Sequence, residues 1–415
     1  MLTPRGYNMT SYKKYPKYKD SNVAWLGEIP EHWISVKFKQ VLEEKKKKTN
    51  LSLNCGSISF GTVVYKDNEK IPAETKASYQ EVLKGEFLIN PLNLNFDLKS
   101  LRTALSTLDV VVSTGYIVLK HKSNINPYYL RWLLYQFDVA HMKTLGAGVR
   151  QTVNFTNIGN EYFFIPPLQE QQAIANYLDK ATAKIDTLIQ KQEKLIELLK
   201  EKRQALISHA VTKELNPDAK MKDSGIEWLG EIPEHWILCK LKYYGIYKSG
   251  DFISADKISK KGIYPVLGGN GLRGYSDTFN LKGHYVIIGR QGALCGNINY
   301  SQGKFWATEH AIVVHNKKNI NVKWLGALLD TMNLNQYSVS AAQPGLAVEN
   351  ITNLKAILPP LSEQKEIAQY LDDKTSKIDN LITKATKAID LLKEKRTALI
   401  SATVTGKIDV REQIL

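Results

Sequence analysis

The 415-residue sequence has little of what secreted, membrane-spanning or metal-dependent proteins need. Its three cysteines, Cys55, Cys239 and Cys295, are odd in number and far apart, which fits neither a disulfide framework nor a zinc site. No run of about 18 apolar residues occurs, so no segment is expected to span a membrane. The first 20 residues lack the apolar core of a secretory signal. These absences predict a cytoplasmic protein.

Motifs of the common catalytic sites are missing as well. We find no P-loop, no HExxH pair, no nuclease carboxylate pair and no Ser/His/Asp arrangement. Residues 269–274 match the dinucleotide pattern GxGxxG, but the residues that follow do not begin a helix, as that fingerprint requires. His32 and His235 recur in Glu-His-Trp triplets and are interpreted as packing or capping residues. The sequence predicts a chain without a catalytic site of its own.

Two segments of the chain occur twice. Residues 19–33 (KDSNVAWLGEIPEHW) return as residues 222–236 (KDSGIEWLGEIPEHW), and residues 166–212 return as residues 359–405 with roughly two thirds of the positions identical. The displacements are 203 and 193 residues, so the second segment between the repeats is ten residues shorter. Because the segments between the repeats differ almost completely, the pattern indicates a pseudo-symmetric adaptor with constant joints and two variable inserts.

The net charge of +15 is concentrated in the variable inserts. Residues 34–165 carry 17 Lys/Arg against 11 Asp/Glu, and residues 237–358 carry 14 against 6. The repeated segments are nearly neutral, with 7 against 6 in residues 166–212 and 10 against 9 in residues 359–415. A basic excess shared by two otherwise unrelated inserts favours phosphate backbones as their common partner.

Each long repeat predicts a long helix. Both begin with Pro-Pro, which cannot lie inside a helix, and neither contains Gly or Pro for about 40 residues afterwards. Apolar residues recur every seven positions, which is typical of a coiled-coil seam. We expect the two helices to pair with each other, antiparallel, rather than to pack separately on their own domains. The predicted seam residues are Leu178, Ile185, Leu188, Leu195, Leu199 and Leu206 with Leu371, Ile378, Leu381, Leu392 and Leu399.

The variable inserts are predicted to be compact units of strands, turns and one short helix each. Candidate strands are 57–65, 85–89, 110–113 and 116–120 in the first and 264–267, 284–288, 292–300 and 310–314 in the second, with helices at 127–136 and 322–332. The predicted class is therefore α+β, with two variable domains joined by two long antiparallel coiled-coil helices in a pseudo-twofold internal repeat. The expected divisions are 1–165 for the first variable domain, 166–212 for the first long helix, 213–358 for a linker and the second variable domain, and 359–415 for the second long helix and the C-terminal tail.

The duplicated elements resemble the specificity subunit of type I restriction–modification systems. The likeness rests on residues 222–236, on the Pro-Pro-Leu-x-Glu-Gln helix starts at Pro166 and Pro359, and on the LLKEKRxALIS helix ends at 198–208 and 391–401. Residues 287–300 and 304–310 are similar to a target-recognition domain of that family, and residues 85–91 and 112–116 to the same landmarks in another subtype. The chain departs from the family at Leu294 and Cys295, where small or polar residues are frequent.

The resemblance implies a non-catalytic subunit that recognises double-stranded DNA. Each target-recognition domain would read one half of a bipartite, asymmetric site, and the long helices would set the spacer between the halves. Two methyltransferase (M) subunits would dock on the adaptor and bring S-adenosylmethionine. Restriction (R) subunits would bring ATP and Mg, so this chain itself is expected to hold no cofactor and no metal.

Candidate DNA-binding residues follow from side-chain chemistry, because Arg and Lys suit guanine and Asn and Gln suit adenine. In the first domain the candidates are Asn93, Asn95, Lys99, Arg102, Tyr116, Arg150 and Gln151. In the second domain they are Asn270, Arg273, Tyr275, Arg290, Gln291, Lys304 and His310. For each of them, a solvated side chain or one that holds a loop is the alternative interpretation.

Two other functions remain open at this point. A coiled-coil scaffold without a role on nucleic acid would explain the helices and leave the charge of the inserts unexplained. A DNA-modifying enzyme acting alone would need the catalytic motifs that the sequence lacks.

Overall fold

The computed structural model describes residues 12–92, 101–146, 152–213, 215–292, 294–338 and 345–412. The chain divides into two compact units, the first made of Met1–Gln192 with Lys387–Leu415 and the second of Glu193–Thr386. Each unit combines one variable insert with a part of both long helices, and the predicted α+β class with two long helices is confirmed. Within the described ranges, no helix is both long enough and apolar enough to cross a membrane.

The first unit contains twelve strands and four short helices among its described residues. The strands are β1 Tyr18–Asp20, β2 Glu28–Pro30, β3 Ile34–Lys37, β4 Leu42–Glu44, β5 Gly56–Ser59, β6 Thr62–Tyr65, β7 Gln80–Val82, β8 Phe87–Ile89, β9 Thr103–Leu105, β10 Val110–Val112, β11 Ile117–His121 and β12 Tyr162–Ile165. The short helices are α1 Phe38–Val41, α2 Ala73–Ala77, α3 Pro127–Ala140 and α4 Phe155–Asn160, and the long helix α5 spans Leu168–Lys213.

The second unit has the same number of strands in its described part. They are β13 Met221–Asp223, β14 Glu231–Pro233, β15 Ile237–Lys240, β16 Gly245–Ser249, β17 Tyr264–Gly268, β18 Gly271–Ser276, β19 Leu281–Lys282, β20 Val286–Gly289, β21 Ile298–Tyr300, β22 Lys304–Ala307, β23 Ala311–Asn316 and β24 Lys355–Leu358. Two short helices, α6 Val322–Thr331 and α7 Val348–Asn353, precede the second long helix, α8 Leu361–Val404.

The two variable inserts fold with the same strand order although their sequences are unrelated. A four-stranded sheet runs β4-β11-β8-β9 in the first unit and β16-β23-β20-β21 in the second. A second sheet in the second unit runs β18-β17-β22-β19. Its counterpart in the first unit consists of the pairs β5-β6 and β10-β7, which a parallel bridge between Cys55 and Val111 connects. The hairpin β5-β6 therefore corresponds to the hairpin β17-β18.

Two of the predicted strands were wrong in extent. Residues 57–65 form a hairpin rather than one strand, because Phe60 and Gly61 adopt positive φ angles of 47° and 78° and reverse the chain. Within 292–300, only Ile298–Tyr300 is a strand. A Cβ atom on Gly296 would lie 2.5 Å from the backbone nitrogen of Asn335, so close packing of the preceding turn replaces strand pairing there.

A buried glutamate explains why the short and the long repeat occur together. In the first unit Glu170, in the first turn of α5, accepts hydrogen bonds from Tyr15 Oη at 2.7 Å and Trp33 Nε1 at 2.9 Å and lies 2.8 Å from His32 Nε2. In the second unit Glu363 contacts His235 and Trp236 in the same way, at 2.9 Å and 2.8 Å. The Glu-His-Trp triplets thus anchor each variable domain to the start of a long helix.

The glutamine after each glutamate forms a second, equivalent contact. Gln171 accepts a hydrogen bond from the backbone nitrogen of Asn126 at 2.9 Å, and Gln364 accepts one from the backbone nitrogen of Asn321 at 2.8 Å. Each asparagine caps the N-terminus of the short helix that follows, α3 or α6, through its own side-chain oxygen. The Pro-Pro-Leu-x-Glu-Gln sequence therefore fixes both the Glu-His-Trp segment and the capped helix of its own unit.

Within each unit, parts of the two long helices pack antiparallel. In the first unit Asp186 of α5 accepts a hydrogen bond from Arg396 Nε of α8 at 2.9 Å. In the second unit Asp379 of α8 accepts one from Arg203 Nε of α5 at 3.0 Å. The two aspartates and the two arginines are each displaced by 193 residues, so the repeat supplies one complementary ion pair to each unit.

Three of the eleven predicted seam residues lie one position away from the residues that face inward. Leu178, Ile185, Leu199, Leu371, Ile378 and Leu399 are buried and Leu206 and Leu392 are half-buried, but Leu188, Leu195 and Leu381 are exposed. The interleaving positions that face inward are Ile189, Ile196, Ile382 and Ile389. In a helix, the second row of a seam can lie three or four positions after the first row, so Ile185 could be followed by Leu188 or by Ile189. The packing of the structure uses the residues four positions later.

Candidate nucleic-acid interface

Three backbone segments of the second unit converge beside its second sheet. They are the turn between β17 and β18, the end of β20 and the turn before β23. The backbone nitrogen of Arg290 donates to the carbonyl oxygen of His310 at 2.9 Å. A Cβ atom on Gly289 would lie 2.4 Å from the carbonyl oxygen of Gly269, and one on Gly269 would lie 2.9 Å from that of His310. Only glycine permits this approach, so the glycines bring the three segments together.

Four of the seven candidates of the second domain, Asn270, Arg290, Gln291 and His310, lie on or directly next to these segments, and a fifth, Arg273, lies in the adjoining strand β18. Gln291 Oε1 lies 2.8 Å from His310 Nδ1, and Asn270 Oδ1 accepts a hydrogen bond from Asn297 Nδ2 at 3.0 Å. Asn270, Arg273 and His310 line a recess of about 230 Å³. Amide, guanidinium and imidazole groups on one surface have the donors and acceptors that base edges and phosphates require.

The wall of this recess holds a polar group with no hydrogen-bond partner in the part of the chain that the structure describes. The hydroxyl of Thr308 is fully buried and unpaired, and Thr308 lines the recess. The side-chain nitrogen of Asn299, beside the same hairpin turn, is also buried without a partner. Because an unpaired buried donor or acceptor costs free energy, a polar ligand that reached these groups would be stabilised by them.

The other two candidates of the second domain lie at the opposite end of the sheet. Tyr275 pairs with Pro265 and exchanges backbone hydrogen bonds with Ser259, away from the β17-β18 turn. The ammonium group of Lys304 lies 4.7 Å from the ring centroid of Phe279. Lys304 is the first residue of strand β22, and the recess lies beyond the last residue of that strand. Sequence chemistry selected both residues, but the sheet separates them from the five-residue cluster.

Of the candidates in the first domain, the structure describes two. Asn93, Asn95, Lys99, Arg150 and Gln151 lie outside the described residues. Tyr116 is half-buried, and its carbonyl oxygen accepts a hydrogen bond from Gln80 Nε2 at 2.7 Å. Arg102 is buried, and its Nη1 donates to the carbonyl oxygen of Leu92 at 3.0 Å. The guanidinium group of Arg102 thus holds the chain next to Leu92 instead of facing solvent.

The backbone of Arg102 contacts a buried carboxyl group with an unusual proton affinity. Asp138 of α3 is fully buried and accepts a hydrogen bond from the backbone nitrogen of Arg102 at 2.5 Å. Burial raises the pKa of Asp138 from its ordinary value of 3.8 to about 6, and the hydrogen bond from Arg102 offsets part of that rise. The contact joins α3 to the strand that follows the segment of Asn93, Asn95 and Lys99.

Replacing Asp138 with asparagine is expected to stabilise the protein at neutral pH. The folded-state pKa lies above the ordinary value, so the folded form binds the proton more tightly and the contribution of Asp138 to the free energy of unfolding falls as pH rises from about 4 to 6. Asparagine accepts the same hydrogen bond without ionising. Denaturant unfolding should show a gain of about 1–3 kcal/mol at pH 7 and little gain at pH 4. A gain that is equal at both pH values would contradict this explanation.

The structure also identifies a residue that the sequence did not suggest. The turn of the first unit that corresponds to the Gly269 and Asn270 turn consists of Phe60 and Gly61, and the side chain of Phe60 is 87% exposed. The available signal was a glycine after an aromatic residue inside an otherwise continuous strand pattern. Among the residues that the structure describes, no group of three His, Cys, Asp or Glu side chains is placed to hold a metal ion.

Comparison with known sequences follows the two-unit organisation. The pattern of the family described as the type I restriction modification DNA specificity domain matches residues 11–198 and 233–390. The specificity subunit of the Escherichia coli type I restriction enzyme EcoprrI is 44% identical over 144 residues, which are 34% of this chain and 36% of that protein. The putative MjaX specificity subunit of Methanocaldococcus jannaschii is 24% identical over 434 residues, 95% of this chain and 98% of that protein.

Solved structures share the fold. A chain from work on complex assembly and conformational transition of the type I R-M system matches with a TM-score of 0.67 at 16% identity, over 91% of this chain and 98% of the other. The HsdS subunit of Thermoanaerobacter tengcongensis matches with a TM-score of 0.52 at 16% identity, over 92% and 98%. Since the family pattern covers both inserts and most of the chain, this protein belongs to the specificity subunits of type I restriction–modification systems.

Proposed function

We propose that this chain reads a bipartite, asymmetric sequence in double-stranded DNA for a type I restriction–modification complex. The observation that carries the proposal is the cluster of Asn270, Arg273, Arg290, Gln291 and His310 on converging loops of the second unit and the adjoining strand β18. The first unit repeats the strand order with an unrelated sequence, so it offers an equivalent surface of different chemistry. Each target-recognition domain reads one half-site.

The long helices set the spacer between the half-sites. Both helices contribute to both units, and within each unit one Asp–Arg ion pair joins α5 to α8. The Glu170 and Glu363 contacts attach each domain rigidly to the start of a helix. Because each domain is attached to a helix of fixed length, the helix length determines the number of unread base pairs between the two half-sites.

Two methyltransferase subunits dock on the helices. In the first unit Leu188 and Leu391 are exposed, and in the second unit the repeat-equivalent residues Leu381 and Leu198 are exposed. Exposed leucines at equivalent positions of the two repeats favour docking of two identical partner subunits. The methyltransferase subunits supply S-adenosylmethionine, and restriction subunits supply ATP and Mg. The chain itself catalyses nothing and acts in the cytoplasm.

The proposal is tested by mapping methylated bases in the source cell with and without this gene. We expect one bipartite motif to lose its methylation when the gene is deleted, and its two halves identify both half-sites. If every methylated motif persists, the adaptor function is wrong and the scaffold without a nucleic-acid role is favoured. Methylation of the motif by this chain alone, with only S-adenosylmethionine added, would instead identify an enzyme.

A charge-matched pair of variants then tests the cluster. Arg290→Ala should weaken binding of the complex to the intact motif by about 5- to 100-fold and relax selectivity at one base pair of the second half-site. Lys304→Ala removes the same charge at the other end of the sheet. It should lower affinity less, equally for all sequences, and with a smaller salt slope. Equal effects of the two substitutions on every sequence would show that Arg290 does not read a base.

A further inference from the structure

We infer that Phe60 inserts between stacked base pairs of the first half-site as an apolar wedge. The inference rests on the proposed function and adds a residue to it. Phe60 and Gly61 form the two-residue turn of the β5-β6 hairpin, where Ser59 pairs with Thr62. Both turn residues have positive φ, and the ring is 87% exposed. No described residue covers most of that ring.

Phe60, the most exposed aromatic residue among those that the structure describes, has a backbone conformation with positive φ that is unfavourable for its side chain. Turns of this kind need a left-handed conformation at both central positions, which favours Asn, Asp or Gly at the first of them. A bulky side chain with positive φ is strained, and such strain concentrates at functional sites. Thr62 Oγ1 donates to the carbonyl oxygen of Ser59 at 2.8 Å and helps to keep the turn closed. Phenylalanine is an unfavourable residue for this turn, and no described residue covers enough of the ring to offset that cost, which favours a contact with a partner.

The position of the turn indicates the kind of partner. In the second unit the corresponding turn carries Asn270 and borders the recess with Arg273 and His310. In the first unit a Cβ atom on Gly61 would lie 2.8 Å from Leu101, which directly follows the segment of Asn93, Asn95 and Lys99. Both hairpin turns therefore occupy the same place in the fold, and in the second unit that place borders residues chosen for base recognition.

The chemistry of the hairpin fits a groove of DNA. Residues 56–66 (GSISFGTVVYK) contain no acidic side chain that would repel phosphates. A β-ribbon can contact DNA through the minor groove, which is the groove from which apolar side chains are known to enter base steps. Apolar side chains that enter base steps partly unstack and kink the duplex, and stacking on an aromatic ring compensates for the lost base stacking. A base step is the partner that covers an isolated, projecting ring of this kind.

The test uses the complex of this chain with its methyltransferase subunits and a duplex of the methylated motif. 2-Aminopurine is placed at successive positions of the first half-site, since its fluorescence rises when a neighbouring base unstacks. Wild-type protein and Phe60→Trp should raise the fluorescence at one position. Phe60→Asn should abolish that rise and weaken binding by about 5- to 100-fold. Because asparagine tolerates positive φ, the thermal stability of Phe60→Asn should equal or exceed that of the wild type.

Phe252→Asn is the matched control. Phe252 is 73% exposed in the second unit, and its φ angle is not positive. It should leave the fluorescence at the first half-site unchanged. If Phe60→Asn retains wild-type binding and fluorescence, the wedge is wrong and the proposed function stands. The same conclusion follows if Phe60→Asn prevents assembly with the methyltransferase subunits but the chain still binds the duplex. If the wild-type complex does not bind the duplex at all, both proposals fail.

Discussion

Replacing Glu170 with alanine is expected to destabilise the first unit by about 3–5 kcal/mol. The carboxylate is 6% exposed and accepts hydrogen bonds from Tyr15 and Trp33 while contacting His32. Its removal leaves the hydroxyl of Tyr15 and the indole nitrogen of Trp33 buried without an acceptor. Burial raises the pKa of Tyr15 and remains after the substitution, so the phenol cannot escape the loss by ionising. Denaturant unfolding followed by Trp fluorescence measures the effect.

The repeat provides a matched comparison for this substitution. Glu363→Ala in the second unit removes the equivalent carboxylate, which is more exposed and has no tyrosine partner among the described residues. We expect about 1–2 kcal/mol there. Glu366→Ala, one turn further along α8 at an exposed position, should change the free energy of unfolding by less than about 0.5 kcal/mol. Equal losses for Glu170 and Glu363 would mean that the Tyr15 contact contributes nothing.

Inserting one heptad into both long helices is expected to lengthen the spacer of the methylated motif and to keep both half-sites. The insertions belong after Gln192 in α5 and after Thr386 in α8, where the two units meet along the chain. Seven residues add about 10 Å of helix, which corresponds to at most about three base pairs. The period of seven restores the seam, and the Asp186–Arg396 and Asp379–Arg203 pairs remain within their own units. Methylome mapping of cells carrying the variant reads out the new motif.

Two controls make the ruler hypothesis testable. A heptad in α5 alone puts the helices out of register, so we expect methylation to be lost. A heptad whose seam residues are all alanine keeps the length and weakens the packing, so the longer spacer should persist with lower stability. An unchanged spacer in the double-insertion variant, with methylation intact, would rule out the helices as the ruler.

Local signals in the sequence were sufficient for the long helices. Pro-Pro starts, glycine-free runs and rows of apolar residues spaced by seven are short-range features, and α5 and α8 follow them. The same signals could not decide whether Leu188 or Ile189 faces the partner helix, because both frames share the row through Ile185. That choice depends on which side of each helix the rest of its unit covers.

The candidate site shows a similar division. Residue chemistry selected Asn270, Arg290 and His310, and glycines with close backbone contacts brought them together. The same chemistry selected Arg102, which is buried and bound to the carbonyl oxygen of Leu92. The sequence gives the hydrogen-bonding groups of each side chain, whereas the solvent exposure of that side chain depends on neighbours that are distant along the chain.

The sequence by itself determined the duplicated adaptor plan, the two long helices and the family, because repeats and heptads are visible in one dimension. The tertiary structure decided which side chains are available to a partner. It buried Arg102, exposed Phe60 at a strained turn and separated Lys304 from the recess. The physical reason is that burial and strand pairing are long-range: two unrelated inserts reach one strand order through contacts that no local pattern specifies.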